Sequence, residues 1–143
     1  LKKNGYILVG LYNRYGRVKT LIRKKLYQIF GKSIVMLLDP TLRNLKKGND
    51  QQIKSWIRDQ YEHPVESLHT LDEVLSWFKK NNIEFINSIP KCYFDEKENK
   101  NIFDKSTKGS FISRLFSQFS MLFNNLGDDG GLFVVIGKKR DHS

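Results

Sequence analysis

Residues 70–89, TLDEVLSWFKKNNIEFINSI, read as a capped helix that turns at once into a strand. Thr70 and Glu73 have the spacing of a capping box, in which the threonine hydroxyl and the glutamate carboxylate each take a free backbone N–H. Leu71, Val74, Leu75 and Phe78 follow at helical spacing, and Lys79 and Lys80 sit where the helix dipole favours cations. Asn81-Asn82 breaks the helix, and residues 83–89 run on as a strand stopped by Pro90.

Two further runs resemble strands. Tyr6 to Leu11, after an Asn4-Gly5 turn, and Leu132 to Ile136, after a turn over Gly127 to Gly131, are short and nearly continuous in apolar residues. Continuous apolarity over such a length suits strands buried on both faces of an α/β sheet. The three runs are expected to form one sheet, with Leu132 to Ile136 central and antiparallel to both neighbours.

Helices are predicted in between. In Arg17 to Phe30 the residues Val18, Leu21, Ile22, Leu26, Ile29 and Phe30 fall on one face, with Arg17, Lys19, Arg23, Lys24 and Lys25 over the remaining surface and Gly31 as the stop. Residues 34–38 are too short for periodicity to choose between strand and buried helix. Asp39 is placed to cap a short helix beginning at Pro40. A further helix is predicted over about residues 50–61, with Ile53, Trp56 and Ile57 on one face. Residues 91–108 lack periodicity and read as a loop. Phe111, Ile112, Leu115, Phe116, Phe119, Leu122 and Phe123 mark another amphipathic helix, and with Trp56 and Trp77 they are expected in the core. The closing Lys138-Lys139-Arg140 reads as a solvated tail.

Composition narrows the class. The 143 residues are 39% hydrophobic and 13% aromatic, enough for a compact domain with one core and no compositional disorder. Lys and Arg number 25 against 15 acidic residues, a net charge of +10 that attracts anions, although the basic residues are spread along the chain and not gathered in a run. Cys92 is the single cysteine, which excludes an internal disulfide. No apolar stretch approaches 20 residues, so no membrane span is expected and the chain reads as cytoplasmic.

Taken in order, the segments GLYNRYGR, DQYEHPVESLHT, IEFINSIP, KSTKGS and GGLFVVIGK resemble the C-terminal portion of class I S-adenosylmethionine-dependent methyltransferases, in a bacterial branch with a helical lid insertion. LKKNGYILVG is similar to the turn that opens the family's fifth strand, with Lys3-Asn4 in place of proline-glycine. The resemblance implies a Rossmann-like α/β fold: a three-stranded sheet in the order five, seven, six, its last strand antiparallel. It implies a single partial domain over 1–143, with the first strand and turn at 1–13, the lid at 14–69, and helix, strand, loop, helix and strand at 70–143. The family's glycine-rich loop and ribose-binding acid have no counterpart here, because no G-x-G occurs. S-adenosylmethionine is therefore expected as the cofactor of the full-length protein, with no cofactor-binding residue in this chain, whose missing partner is the N-terminal half of the same protein.

Within that frame the loop 61–69 is the candidate active site. His63, placed by Pro64 in extended backbone, is the candidate general base for a hydroxyl acceptor, oriented by Tyr61 and Glu66. The bland alternative for Glu66 and His69 is that they brace neighbouring helices. His63, Glu66 and His69 match no zinc-site spacing, so no metal is expected. Tyr12, Asn13, Arg14 and Tyr15 leave the carboxyl end of the first strand, where α/β sheets bind ligands. Together with His69 they are candidate substrate-binding residues, with Arg14 suited to an anionic group on a small-molecule acceptor; a surface turn is the alternative. The competing function is a free-standing basic α/β module that binds RNA or another anionic partner. The solvated-helix reading of residues 17–25 predicts only weak, salt-sensitive nucleic-acid binding.

Overall fold

The computed structural model describes residues 1–45, 50–62, 66–92, 101–123 and 131–140. Its strands are β1 (Tyr6–Asn13), β2 (Leu68–His69), β3 (Ile83–Ile89) and β4 (Leu132–Lys139), and its helices are α1 (Val18–Phe30), α2 (Lys32–Leu38), α3 (Pro40–Leu45), α4 (Asp50–Ile57), α5 (Leu71–Lys80) and α6 (Phe111–Ser120). A π-helical turn, Arg58–Glu62, prolongs α4, so the helix expected over 50–61 changes pitch in its last turn.

The strands form one mixed sheet in the order β2-β1-β4-β3. β4 lies between β1 and β3 and is antiparallel to both, with Val135 opposite Val9 on one side and Ser88 on the other. The sheet has four strands and not three: β2 adds to β1 in parallel, pairing Leu68 with Tyr12 and His69 with Asn13. Two residues are too few to show a period, which is why the sequence carries no sign of it. β4 also runs on through Lys138 and Lys139, expected as a solvated tail. Neighbours on both sides hold these two lysines in the ladder, opposite Tyr6, Glu84 and Ile83.

In β3 the register shifts between Phe85 and Asn87. That bulge breaks the alternation of faces, and four consecutive residues from Phe85 to Ser88 are buried. α5 has the expected capping box, and it lays Leu71, Val74 and Phe78 against Phe85, Phe133 and Val135 of the sheet. Gly137 makes this packing possible, because a Cβ there would stand 2.6 Å from the Phe78 ring.

The chain divides into two compact units, where a single domain with one core was expected. One comprises Leu1–Gly16 and Ser67–Ser143; the other is Arg17–Glu66. The second has its own core of Val35, Leu42, Ile53, Ile57 and Tyr61. Asp39 sits at its centre as more than a cap: it accepts from the Thr41 backbone N–H at 2.8 Å, from Trp56 Nε1 at 3.0 Å and from the Tyr61 hydroxyl. Burial, with the neighbouring Asp39 carboxylate next in effect, pushes the Tyr61 hydroxyl well above the usual tyrosine range.

Two helices do not bury the faces their periodicity suggests. Along α1 the apolar Val18, Ile22, Ile29 and Phe30 are exposed, whereas Arg17, expected in solvent, is only 2% exposed. Its guanidinium is fully engaged in the second unit, with Nε 2.7 Å from Glu66 Oε1, Nη2 2.9 Å from Gln60 Oε1 and Nη1 3.4 Å from Thr20 Oγ1. In α6 the buried residues are Ser117 and Gln118, while Phe116 and Phe123 just beyond its end are 67% and 76% exposed. Gln118 faces inward because two donors need it, as the site below shows. Trp77, expected in the core, is partly exposed on α5. No helix among the described residues is long and apolar enough to cross a membrane.

Candidate functional site

The first strand ends in a turn built by Asn13. Its Oδ1 accepts from the backbone N–H groups of Tyr15 and Gly16, at 2.9 and 3.1 Å, and its Nδ2 donates to Gln118 Oε1 at 2.8 Å. The same Gln118 oxygen accepts from the Leu71 backbone N–H at 2.9 Å, so one amide joins the end of β1, the start of α5 and the buried side of α6. Gly16 allows the turn to close: a Cβ there would lie 2.7 Å from Gly131 Cα. An ion pair between Arg114 and Asp72, 2.7 Å apart, holds α6 to the first turn of α5.

On this scaffold β2 delivers His69 beside Asn13, and the Arg14 backbone N–H donates to the His69 carbonyl at 3.0 Å. Strand alternation places the Ser67 and His69 side chains on the same side, two residues apart. The polypeptide then enters α5 through Thr70. Because Glu73 closes the capping box, its carboxylate folds back over the residues just before the helix. Glu73 Oε2 accepts from the Thr70 backbone N–H at 2.9 Å and lies 3.3 Å from His69 Nδ1, while Oε1 is 3.5 Å from Arg14 Nη2. The Thr70 N–H, and after it the His69 and Arg14 side chains, hold the Glu73 carboxyl below the usual carboxylate range. On the far side of the ring, His69 Nε2 is hydrogen-bonded to the Ser67 hydroxyl. Trp77, one turn beyond Glu73, meets the imidazole edge-on with ring centroids 5.1 Å apart.

An ionised carboxylate only accepts, so the geometry suits the tautomer in which Nδ1 carries the hydrogen and Nε2 accepts from the Ser67 O–H. A hydroxyl, an imidazole and a carboxylate thus stand in one line, with a cation behind the carboxylate.

Of the residues expected to bind substrate, Arg14 and His69 are brought together, both on Glu73. Asn13 is fully buried and committed to the turn, Tyr15 lies against Phe119 with centroids 4.8 Å apart, and Tyr12 stays within β1. Of the expected catalytic residues, His63 lies outside the described residues. Tyr61 and Glu66 belong to the helical unit, and both are engaged there, with Asp39 and Arg17 respectively. Ser67 and Glu73 do not stand out in the sequence as site residues, since Glu73 reads fully as a cap and Ser67 is one polar residue among many. The legible signal is the spacing S-x-H-T-x-x-E, a strand pair followed at once by a capping box.

No protein-family model, curated protein or solved structure matches the chain.

Proposed function

We propose that this chain is the acceptor side of a class I methyltransferase, moving a methyl group from S-adenosylmethionine to a small hydroxyl-bearing acceptor. One observation supports it: β4, the last strand, runs antiparallel between β1 and β3, as expected of the final strand from the sequence resemblance. The Arg14–His69 cluster lies at the carboxyl end of β1, on the sheet rim where ligands of α/β proteins bind. Arg14 receives an anionic group of the acceptor, and His63 remains the proposed proton acceptor. Direct methyl transfer asks first for alignment, and for a base only when the acceptor must lose a proton. Cofactor binding falls to a glycine-rich half carried on other residues.

The test is retention of radiolabelled S-adenosylmethionine by the product of the whole reading frame and by residues 1–143 alone. The expected outcome is binding by the former and none by the latter, with methyl incorporation into an acceptor pool from cell extract reduced about 10-fold or more by Arg14→Ala. Absence of cofactor binding by the whole product sinks the assignment.

A further inference from the structure

We propose that Ser67 is a nucleophilic hydroxyl, activated by His69 and positioned by Glu73, that takes an acyl group from activated carboxylic esters. The proposal rests on this geometry alone and stands apart from methyl transfer. A serine within hydrogen-bond reach of an imidazole, itself oriented by a third group, is the arrangement that makes a neutral hydroxyl reactive. Here all three links are present. The Ser67 hydroxyl meets His69 Nε2, and His69 Nδ1 faces Glu73 Oε2 at 3.3 Å. Glu73 is in turn anchored by the Thr70 N–H and by Arg14. Trp77 against the ring edge limits its rotation. Ser67 is exposed, so an ester can reach it from solvent.

The step balances without a further reactant. The Oγ–H proton passes to His69 Nε2 as Oγ bonds to the ester carbonyl carbon. The carbon–alkoxide bond then breaks, the leaving oxygen takes the proton from His69, and an acyl-Ser67 and an alcohol remain. Glu73 stays ionised throughout and stabilises the transient imidazolium.

A fluorophosphonate probe, diisopropyl fluorophosphate, tests the nucleophile directly. The Oγ–P bond forms, the P–F bond breaks, fluoride leaves and the proton goes to His69. Peptide mass spectrometry of the folded protein is expected to find the adduct on Ser67 and on no other serine. Labelling should slow about 100-fold or more in His69→Ala, the scale of a lost general base, and about 10-fold in Glu73→Gln. Thr70→Ala removes the hydroxyl of the same cap but keeps the carboxylate and the backbone N–H that holds it, and should slow labelling less than Glu73→Gln does; this separates the positioning role of Glu73 from its role in capping. An unlabelled Ser67 in the folded wild type overturns the proposal, whatever the variants do. So does labelling that proceeds as fast in His69→Ala or in urea. Equal slowing in Thr70→Ala and Glu73→Gln removes Glu73 from the device.

Discussion

Asn13 Nδ2 and Gln118 Oε1 are 2.8 Å apart and 105 residues apart in sequence, and both side chains are fully buried. Through this one bond the end of the first strand is tied to α6, and the Leu71 N–H on the same oxygen brings in α5. Removing either partner leaves buried polar groups without one, which costs about 1–3 kcal/mol per group. Gln118→Ala is therefore expected to destabilise the protein by about 2–6 kcal/mol, since two donors lose their acceptor. Chemical denaturation of Gln118→Ala beside the exposed control Phe116→Ala checks this; equal stability of the two would show that the bond contributes little.

The helical unit has a comparable centre in Asp39. Asp39→Ala deprives the Trp56 indole, the Tyr61 hydroxyl and the start of α3 of their acceptor, and a loss of about 2–4 kcal/mol is expected. Tyr61→Phe removes a single donor and should cost about 1 kcal/mol. Differential hydrogen exchange over residues 50–62 would register the larger change as lost protection; protection equal to wild type in Asp39→Ala argues against a central role.

Acid should act through Glu73. Its carboxyl titrates below the ordinary range because the Thr70 N–H, His69 and Arg14 favour the charged form in the folded chain. A depressed folded value means that the stabilisation is complete above the ordinary carboxylate value of about 4.3 and is lost as pH falls through the lower folded value. Glu73→Gln is thus expected to melt earlier than wild type at pH 7, with the gap closing as the pH falls through the lowered folded value. Because the side chain is partly exposed the gap will be modest, of a few degrees at most. A gap that persists undiminished in acid would assign the loss to packing and not to charge.

The parts of the fold legible in the sequence are those with local causes. The capping box at Thr70 and Glu73 and the apolar runs of β1 and β4 declare themselves within a few residues. The faces of α1 and α6 do not, because periodicity names the apolar side of a helix and not the side that is covered. In α6 the demand of Asn13 and Leu71 for an acceptor turns Gln118 inward and leaves Phe116 outside. Arg17 reads as one more surface cation until Glu66, 49 residues on, closes on it. The site divides in the same way. Arg14 is singled out by the strand end and His69 by the loop before the capped helix; Ser67 and Glu73 reach His69 by local contacts, and the parallel pairing of β2 with β1 sets Arg14 beside them.

The central place of β4 sets the order in which the sheet can assemble. β1 and β3 share no ladder with each other; each pairs with residues 132–139. As the polypeptide leaves the ribosome, two strands wait with open flanks for a segment made more than 40 residues after the second of them. That segment completes both ladders and sets Phe133 and Val135 against α5. Long-range closure of this kind makes for slow folding. Polypeptides stalled before residue 132 should expose both unsatisfied strands, and would be the species that chaperones hold.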